Sequence, residues 1–256
     1  LKMKSYKVIN DFEEMKKMID LLNDLGPAEV YFVSLSARKK YLTKAERQIY
    51  NLNRAEMFAR SIVREKSYEK FFKIMSRMEV NENGYTTKTG QSYPAKAIVT
   101  YININASNML VANAEYQQKV NQYSFEMTRA LLNRKKCDSI MTKFSKLDVE
   151  LMNCVQRSRG QKKFIDIDFD IDKVKEYYVL VKYIDFLKKN DIKYHVIETK
   201  SGYHVLMERA TINCNFHKVV TELDKLVEDE VIINKNEMVP LCGTLQGGFP
   251  VKFLEI

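Results

Sequence analysis

From Lys163 to Asp172 the chain reads KFIDIDFDID, with Ile165, Ile167, Phe169 and Ile171 alternating with Asp166, Asp168, Asp170 and Asp172. Strict alternation of β-formers with a charged residue fits an extended strand, whose side chains point to opposite faces with period two. The four carboxylates then share one face, and the apolar residues need cover on the other. Neighbouring carboxylates stand about 7 Å apart, from a rise of about 3.3 Å per residue. Like charges at that spacing raise one another's pKa and oppose folding, and aspartate is a poor strand former. Such a strand calls for a cation.

A hard divalent ion fits that need, because Mg²⁺ and Mn²⁺ prefer carboxylate and water oxygens. Asp166 and Asp168, mid-strand, are the first-choice ligands. Asp170 lies near the strand end, and Asp172 reads as the cap of a helix starting at Lys173. Taken alone, an acidic strand also suits a solvated edge face, a calcium site, or the nucleotide-sugar site of a DxD glycosyltransferase.

The pattern around this strand is regular. Residues 164–171 form the strand, 173–189 a helix, 193–199 and 203–209 two strands joined by a tight KSG turn, 214–228 a helix, and 230–234 a short strand. This β-α-β-β-α-β order predicts an α+β, ferredoxin-like or RNA-recognition-like sheet over 161–256, with helices on one face and the other face open. Before it, apolar spacing predicts a helix within 8–25, ended by Gly26-Pro27, and a strand at 29–37. Helix follows from Lys44 to Met78 in two pieces around Lys66-Ser67, then a loop or hairpin at 81–94 and a strand at 96–104. Helices at 107–132 and 138–154 and a basic connector at 157–163 complete a mixed α/β unit over 1–160.

Charge is divided unevenly along the chain. Residues from Phe164 onward carry 16 acidic and 12 basic side chains, a balance of −4, whereas the preceding part carries 17 and 30, a balance of +13. Basic clusters recur there: ARKKYLTKAER (37–47), NRKKCDSIMTKFSK (133–146) and RSRGQKK (157–163). With 15 tyrosines in the chain, many among these bases, the surface suits phosphate backbones and base stacking. Arg38, Lys39, Lys40, Arg134, Lys135, Lys136, Arg157 and Arg159 are the candidate nucleic-acid contacts.

Other classes are disfavoured. No apolar run reaches the roughly 18 residues of a membrane span, and the charged start lacks a secretory core, so a soluble, cytoplasmic protein is expected. Cys137, Cys154, Cys214 and Cys242 are scattered, which argues for reduced thiols. Cys214 and His217 form a C-x-x-H step without a second pair at ligand spacing, so no zinc is expected. His195 and His217 read as structural.

The segment ETKSGYHVL (198–206) narrows the chemistry. Lys200, Ser201 and Gly202 make a tight turn, and His204 projects from the strand that leaves it. Glycine admits close backbone approach to a phosphate, while serine and lysine supply donors. FIDIDFD, then KSGYH, then VPLCGTLQGG near the C-terminus resemble the three motifs of the archaeo-eukaryotic primase superfamily, in the style of compact phage or plasmid primases and primase-polymerases. The resemblance covers roughly residues 160–256.

What the resemblance implies is template-directed primer synthesis on single-stranded DNA from NTPs or dNTPs, with two Mg²⁺ or Mn²⁺ ions. By that resemblance Asp166 and Asp168 bind metal, joined by a third acid, Asp229 or its neighbours Glu228 and Glu230. Ser201 and His204 hold the nucleotide's phosphates with help from Lys200. Thr244, Gln246 and Lys252 contact nucleotide or template. The basic unit would pack beside the catalytic sheet and hold the template, and a replicative helicase is a candidate partner. The location implied is the cytoplasm of a bacterial or phage-infected cell.

Departures are clear too. Glu237, Met238 and Val239 precede Pro240 where relatives often carry arginine, leaving Lys235 or Lys252 as substitutes. Neither the family's zinc module nor its helicase domain is expected from these residues. The competing readings are a non-catalytic RNA-recognition-like binding module and a different metal enzyme, a nuclease or glycosyltransferase.

Overall fold

The computed structural model describes residues 5–50, 56–81, 85–86, 90, 92–169, 173–212, 221, 225, 233–234 and 238–256. Its first part runs β1 (Ser5–Tyr6), α1 (Phe12–Leu21), β2 (Glu29–Ala37), α2 (Lys44–Ile49), β3 (Glu56–Val63), α3 (Tyr68–Arg77), β4 (Val80–Asn81), β5 (Ile98–Asn103) and β6 (Ser107–Asn108). Three helices follow, α4 (Met109–Leu132), α5 (Asp138–Phe144) and α6 (Leu147–Arg157). The remainder is β7 (Phe164–Phe169), α7 (Lys173–Lys189), β8 (Tyr194–Thr199), β9 (Gly202–Glu208), β10 (Ile233–Asn234), β11 (Met238–Pro240), β12 (Leu245–Gln246), β13 (Phe249–Pro250) and β14 (Lys252–Leu254). The protein is thus mixed α+β, with antiparallel sheets and seven α-helices among the described residues.

Most elements arise where the side-chain pattern places them. Helix α1 is shorter than its apolar spacing suggests because Asp11 caps it, accepting from the Glu13 and Glu14 N–H groups at 2.9 and 3.1 Å. Residues 138–154 divide into α5 and α6, which breaks the single helix expected there. The helix expected at 214–228 lies outside the described residues except for 221 and 225, which are helical.

One segment changes class. Residues 56–63 were expected within a helical run but form β3, paired antiparallel with β2 from Tyr31↔Val63 to Ala37↔Glu56. The apolar residues of EMFARSIV suit either spacing, and pairing with β2 decides it, a contact that local pattern cannot see.

Two five-stranded antiparallel sheets organise the molecule, one in the order β10-β7-β9-β8-β14 and one in the order β11-β5-β2-β3 with β6 also paired to β2. Strand β2 is buried on both faces. Tyr31, Val33 and Leu35 join α1 and α3 in a core that also takes Phe164, Ile197 and Leu206 from the other sheet, while Val30 and Phe32 pack under α4 and α6. Helix α7 covers the reverse of the sheet that contains β7, through Leu180, Tyr183, Ile184 and Leu187 against Ile167, Phe169, Val205 and Met207. The expectation of one open sheet face is therefore corrected. Phe164 and Leu206, on the aspartate face, are buried in the core shared with the first sheet, because the charged row begins with an apolar residue that needs cover.

The C-terminal segment ties both sheets. β11 pairs with β5, β14 pairs with β8, and Gly243 accepts from the Asn10 and Asp11 N–H groups at 2.8 and 3.0 Å. Gly243 has φ +80°, and a Cβ there would lie 2.3 Å from the Asp11 carbonyl oxygen, so only glycine fits the crossing.

Candidate active site

Strand β7 carries Asp166 and Asp168 on one face, and β9 runs beside it in a register that sets Asp168 opposite His204. The imidazole sits between both carboxylates. Its Nδ1 lies 3.0 and 3.2 Å from the two Asp166 oxygens, and its Nε2 lies 3.5 Å from Asp168 Oδ1. Asp166 and His204 are buried, at 4% and 5% exposure, whereas Asp168 is part-exposed. Burial pulls the His204 pKa down, but the Asp166 carboxylate, aided by Asp168, outweighs it and the pKa is raised. The cation that the acidic strand calls for is thus supplied in part by its neighbour strand.

The start of β7 is fixed from the first sheet. Buried Asn105 accepts from the Lys163 and Phe164 N–H groups, both at 2.9 Å, and donates to the Phe164 carbonyl at 2.9 Å. Sequence reasoning missed Asn105. Its signal was a second asparagine in YININ, an amide spoiling an apolar alternation.

The turn between β8 and β9 is held from three sides. Thr199 donates its hydroxyl to the Gly202 carbonyl at 3.0 Å, closing the turn. Gln246, from β12, accepts the Lys200 N–H at 2.7 Å, and the Lys200 ammonium donates to the Gly247 carbonyl and lies 5.1 Å from the centre of the Tyr41 ring. Gly247, at φ +59°, allows that approach, since a Cβ would fall 2.8 Å from the Tyr41 ring and 2.9 Å from Lys200. From the first unit, Lys40 donates to Ser201 Oγ at 2.8 Å, and its charge opposes that of His204.

Asp166, Asp168, Lys200, Ser201, Gly202, His204 and Gln246 therefore converge, joined by Lys40, which the sequence grouped with template contacts. Thr244 is buried nearby in the chain, but its hydroxyl donates to the Leu241 carbonyl at 2.7 Å and shapes the segment. Lys252 is not brought in. It pairs in register with Glu198, on the opposite sheet face from His204, and forms an ion pair with that residue at 3.5 Å. Lys39 is exposed beside Lys40. Arg134, Lys135 and Lys136 are exposed in the α4–α5 turn, and Arg38, Arg157 and Arg159 gather around a separate cavity. His195 Nε2 lies 3.2 Å from Glu208 Oε1.

Asp170, Asp172, Cys214, His217, Glu228, Asp229, Glu230, Lys235 and Glu237 lie outside the described residues. Among the described residues, no group of three or more His, Cys, Asp or Glu side chains is arranged to hold a metal ion. No described helix is long and apolar enough to cross a membrane. Comparison with protein-family models, with curated proteins and with solved structures returns no match.

Proposed function

We propose that the chain is a metal-dependent, template-directed nucleotidyltransferase of the primase or primase-polymerase type, making primers on single-stranded DNA. The observation that carries this reading is the cross-strand pair of Asp168 and His204, which joins the FIDIDFD and KSGYH motifs at one spot. The strand order β10-β7-β9-β8 lends further support. It sets the first strand of a β-α-β-β-α-β chain between the fourth and third, with the second outside, as in ferredoxin-like and RNA-recognition-like sheets. A purely binding sheet of that kind would offer aromatics for stacking. Here the corresponding face carries Asp166, Asp168 and His204.

The donor set fits a hard divalent ion. Asp166 and Asp168 are alternate carboxylates on one face of one strand, a hard oxygen donor pair. They are the residues that would hold Mg²⁺ or Mn²⁺. When bound, such ions offset charge on the reacting phosphate and lower the pKa of the attacking 3′-hydroxyl. The chain's own groups do the positioning. Lys40 and Ser201 would offer donors to a triphosphate, His204 holds the two carboxylates in place, and Gln246 fixes the Lys200 backbone that forms the turn. Alignment and electrostatics then supply most of the rate, as the 3′-oxygen bonds to the α-phosphorus and pyrophosphate leaves.

The test supplies unprimed single-stranded DNA, Mg²⁺ or Mn²⁺ and labelled NTPs or dNTPs. New oligonucleotides are the expected product. Extension of added primers alone would mark a polymerase that cannot start chains, and degradation of the DNA would replace this reading with a nuclease.

A further inference from the structure

Along β2, the residues facing away from the shared core change character. Val30 and Phe32 pack under α4 and α6, but Ser34 and Ser36 continue the same row, and Arg38 follows. Over this polar part lies a cavity of about 420 Å³, within the several-hundred-Å³ range of small-molecule sites. It lies on the opposite face of β2 from Tyr31, Val33 and Leu35, and so apart from the aspartate site.

Three features suit an anionic, polar ligand. First, Arg38, Arg157 and Arg159 line the cavity, and among the described residues no aspartate or glutamate does. Arg157 is met by Glu115 at 2.7 Å and Glu150 at 3.6 Å, acids outside the lining. Second, Ser34 and Asn103, both lining residues and at most 1% exposed, hold buried side-chain oxygens with no hydrogen-bond partner. The Asn103 amide nitrogen already donates to Ser107 Oγ at 3.4 Å and to the Gln156 carbonyl at 3.3 Å, so flipping the amide would set two acceptors together. A buried polar orphan is costly, and two beside one cavity ask for a partner. Third, the Arg38 guanidinium lies 5.5 Å from the centre of the Tyr101 ring, a planar pair at the cavity wall.

We propose that this cavity binds a phosphate-bearing nucleotide, its phosphate held by Arg38 and Arg159 and its polar edge satisfying Asn103 and Ser34. Asn103 Oδ1 requires a donor, such as a base amino group or a sugar hydroxyl, and the Ser34 hydroxyl accepts or donates. The ligand is either a free nucleotide or the 5′-phosphorylated end of a strand, which share this chemistry. The site is independent of catalysis at Asp166 and Asp168.

Equilibrium binding of AMP and of a short 5′-phosphorylated oligodeoxynucleotide to the full chain, in EDTA, tests the proposal. One-to-one saturable binding is expected, at least tenfold weaker in Arg38→Ala and in the exposed-site variant Arg159→Ala, and unchanged in Asp166→Asn with Asp168→Asn. Ser34→Ala removes an orphan oxygen, so its melting temperature should hold or rise while binding weakens severalfold. AMP binding identifies the free nucleotide as ligand, and binding of the 5′-phosphorylated oligonucleotide alone identifies a strand end. The proposal is overturned if neither probe saturates, if both arginine variants bind like wild type, or if a 5′-hydroxyl oligonucleotide competes equally while AMP does not bind.

Discussion

Asp166 and His204 are both buried, and each is tolerable there because of the other. Breaking a buried ion pair from one side strands a charge and typically costs about 3–5 kcal/mol. His204→Ala is therefore expected to destabilise the protein by about that much, read as a lower urea midpoint at unchanged slope. Asn105 acts through the backbone instead. Removing its side chain in Asn105→Ala leaves the Lys163 and Phe164 N–H groups without their acceptor, for a loss of about 1–3 kcal/mol in the same measurement. Alternation in FIDIDFD revealed which side chains share a face, and the turn residues of KSGYH revealed a donor cluster. Neither Asn105 nor the role of Lys40 was legible, because their partners lie 58 and 161 residues away and no periodicity encodes such contacts.

Helix α2 follows the basic KKY segment and is held by its own first turn. Thr43 and Glu46 form a capping box, and Lys96 pairs with Glu46 at 2.5 Å. The Lys96 hydrogen bond, with the Thr43 N–H, holds the Glu46 carboxyl down at about 2. A lowered carboxylate pKa stabilises the folded state above the ordinary carboxylate range, and that contribution disappears as pH falls toward the folded value. NMR titration of the Glu46 carboxyl should give a midpoint near 2 in the native protein, moving up toward 4.5 in Lys96→Met. The VPLCGTLQGG segment is governed by its backbone. Gly243→Ala forces a side chain into the left-handed region against the Asp11 carbonyl, costing about 1–3 kcal/mol from conformation alone and lowering the thermal midpoint. Strands β2 and β5, dense in β-branched and aromatic residues, and the long helices α4 and α7 were readable from sequence. Strand β3 was not, since its apolar residues fit helix and strand alike and only pairing with β2 separates them.

Across the whole molecule, the two sheets share one core, and the C-terminal segment contributes a strand to each. That packing sets Lys40, from the part carrying +13, against the turn of the part carrying −4. A cationic unit that reaches into an acidic site suits an enzyme whose template and triphosphate are both polyanions. In the proposed function the carboxylates are needed for chemistry, whereas template attraction belongs to the basic unit, so the two should separate by mutation. The most direct measurement compares wild type with the double variant Asp166→Asn, Asp168→Asn on unprimed single-stranded DNA with Mn²⁺ and labelled nucleotides, alongside DNA affinity and circular dichroism. The account predicts new oligonucleotides from wild type and none from the variant, with the fold retained and affinity within about twofold. Product from the variant at the wild-type level, or no product from either protein, would contradict it.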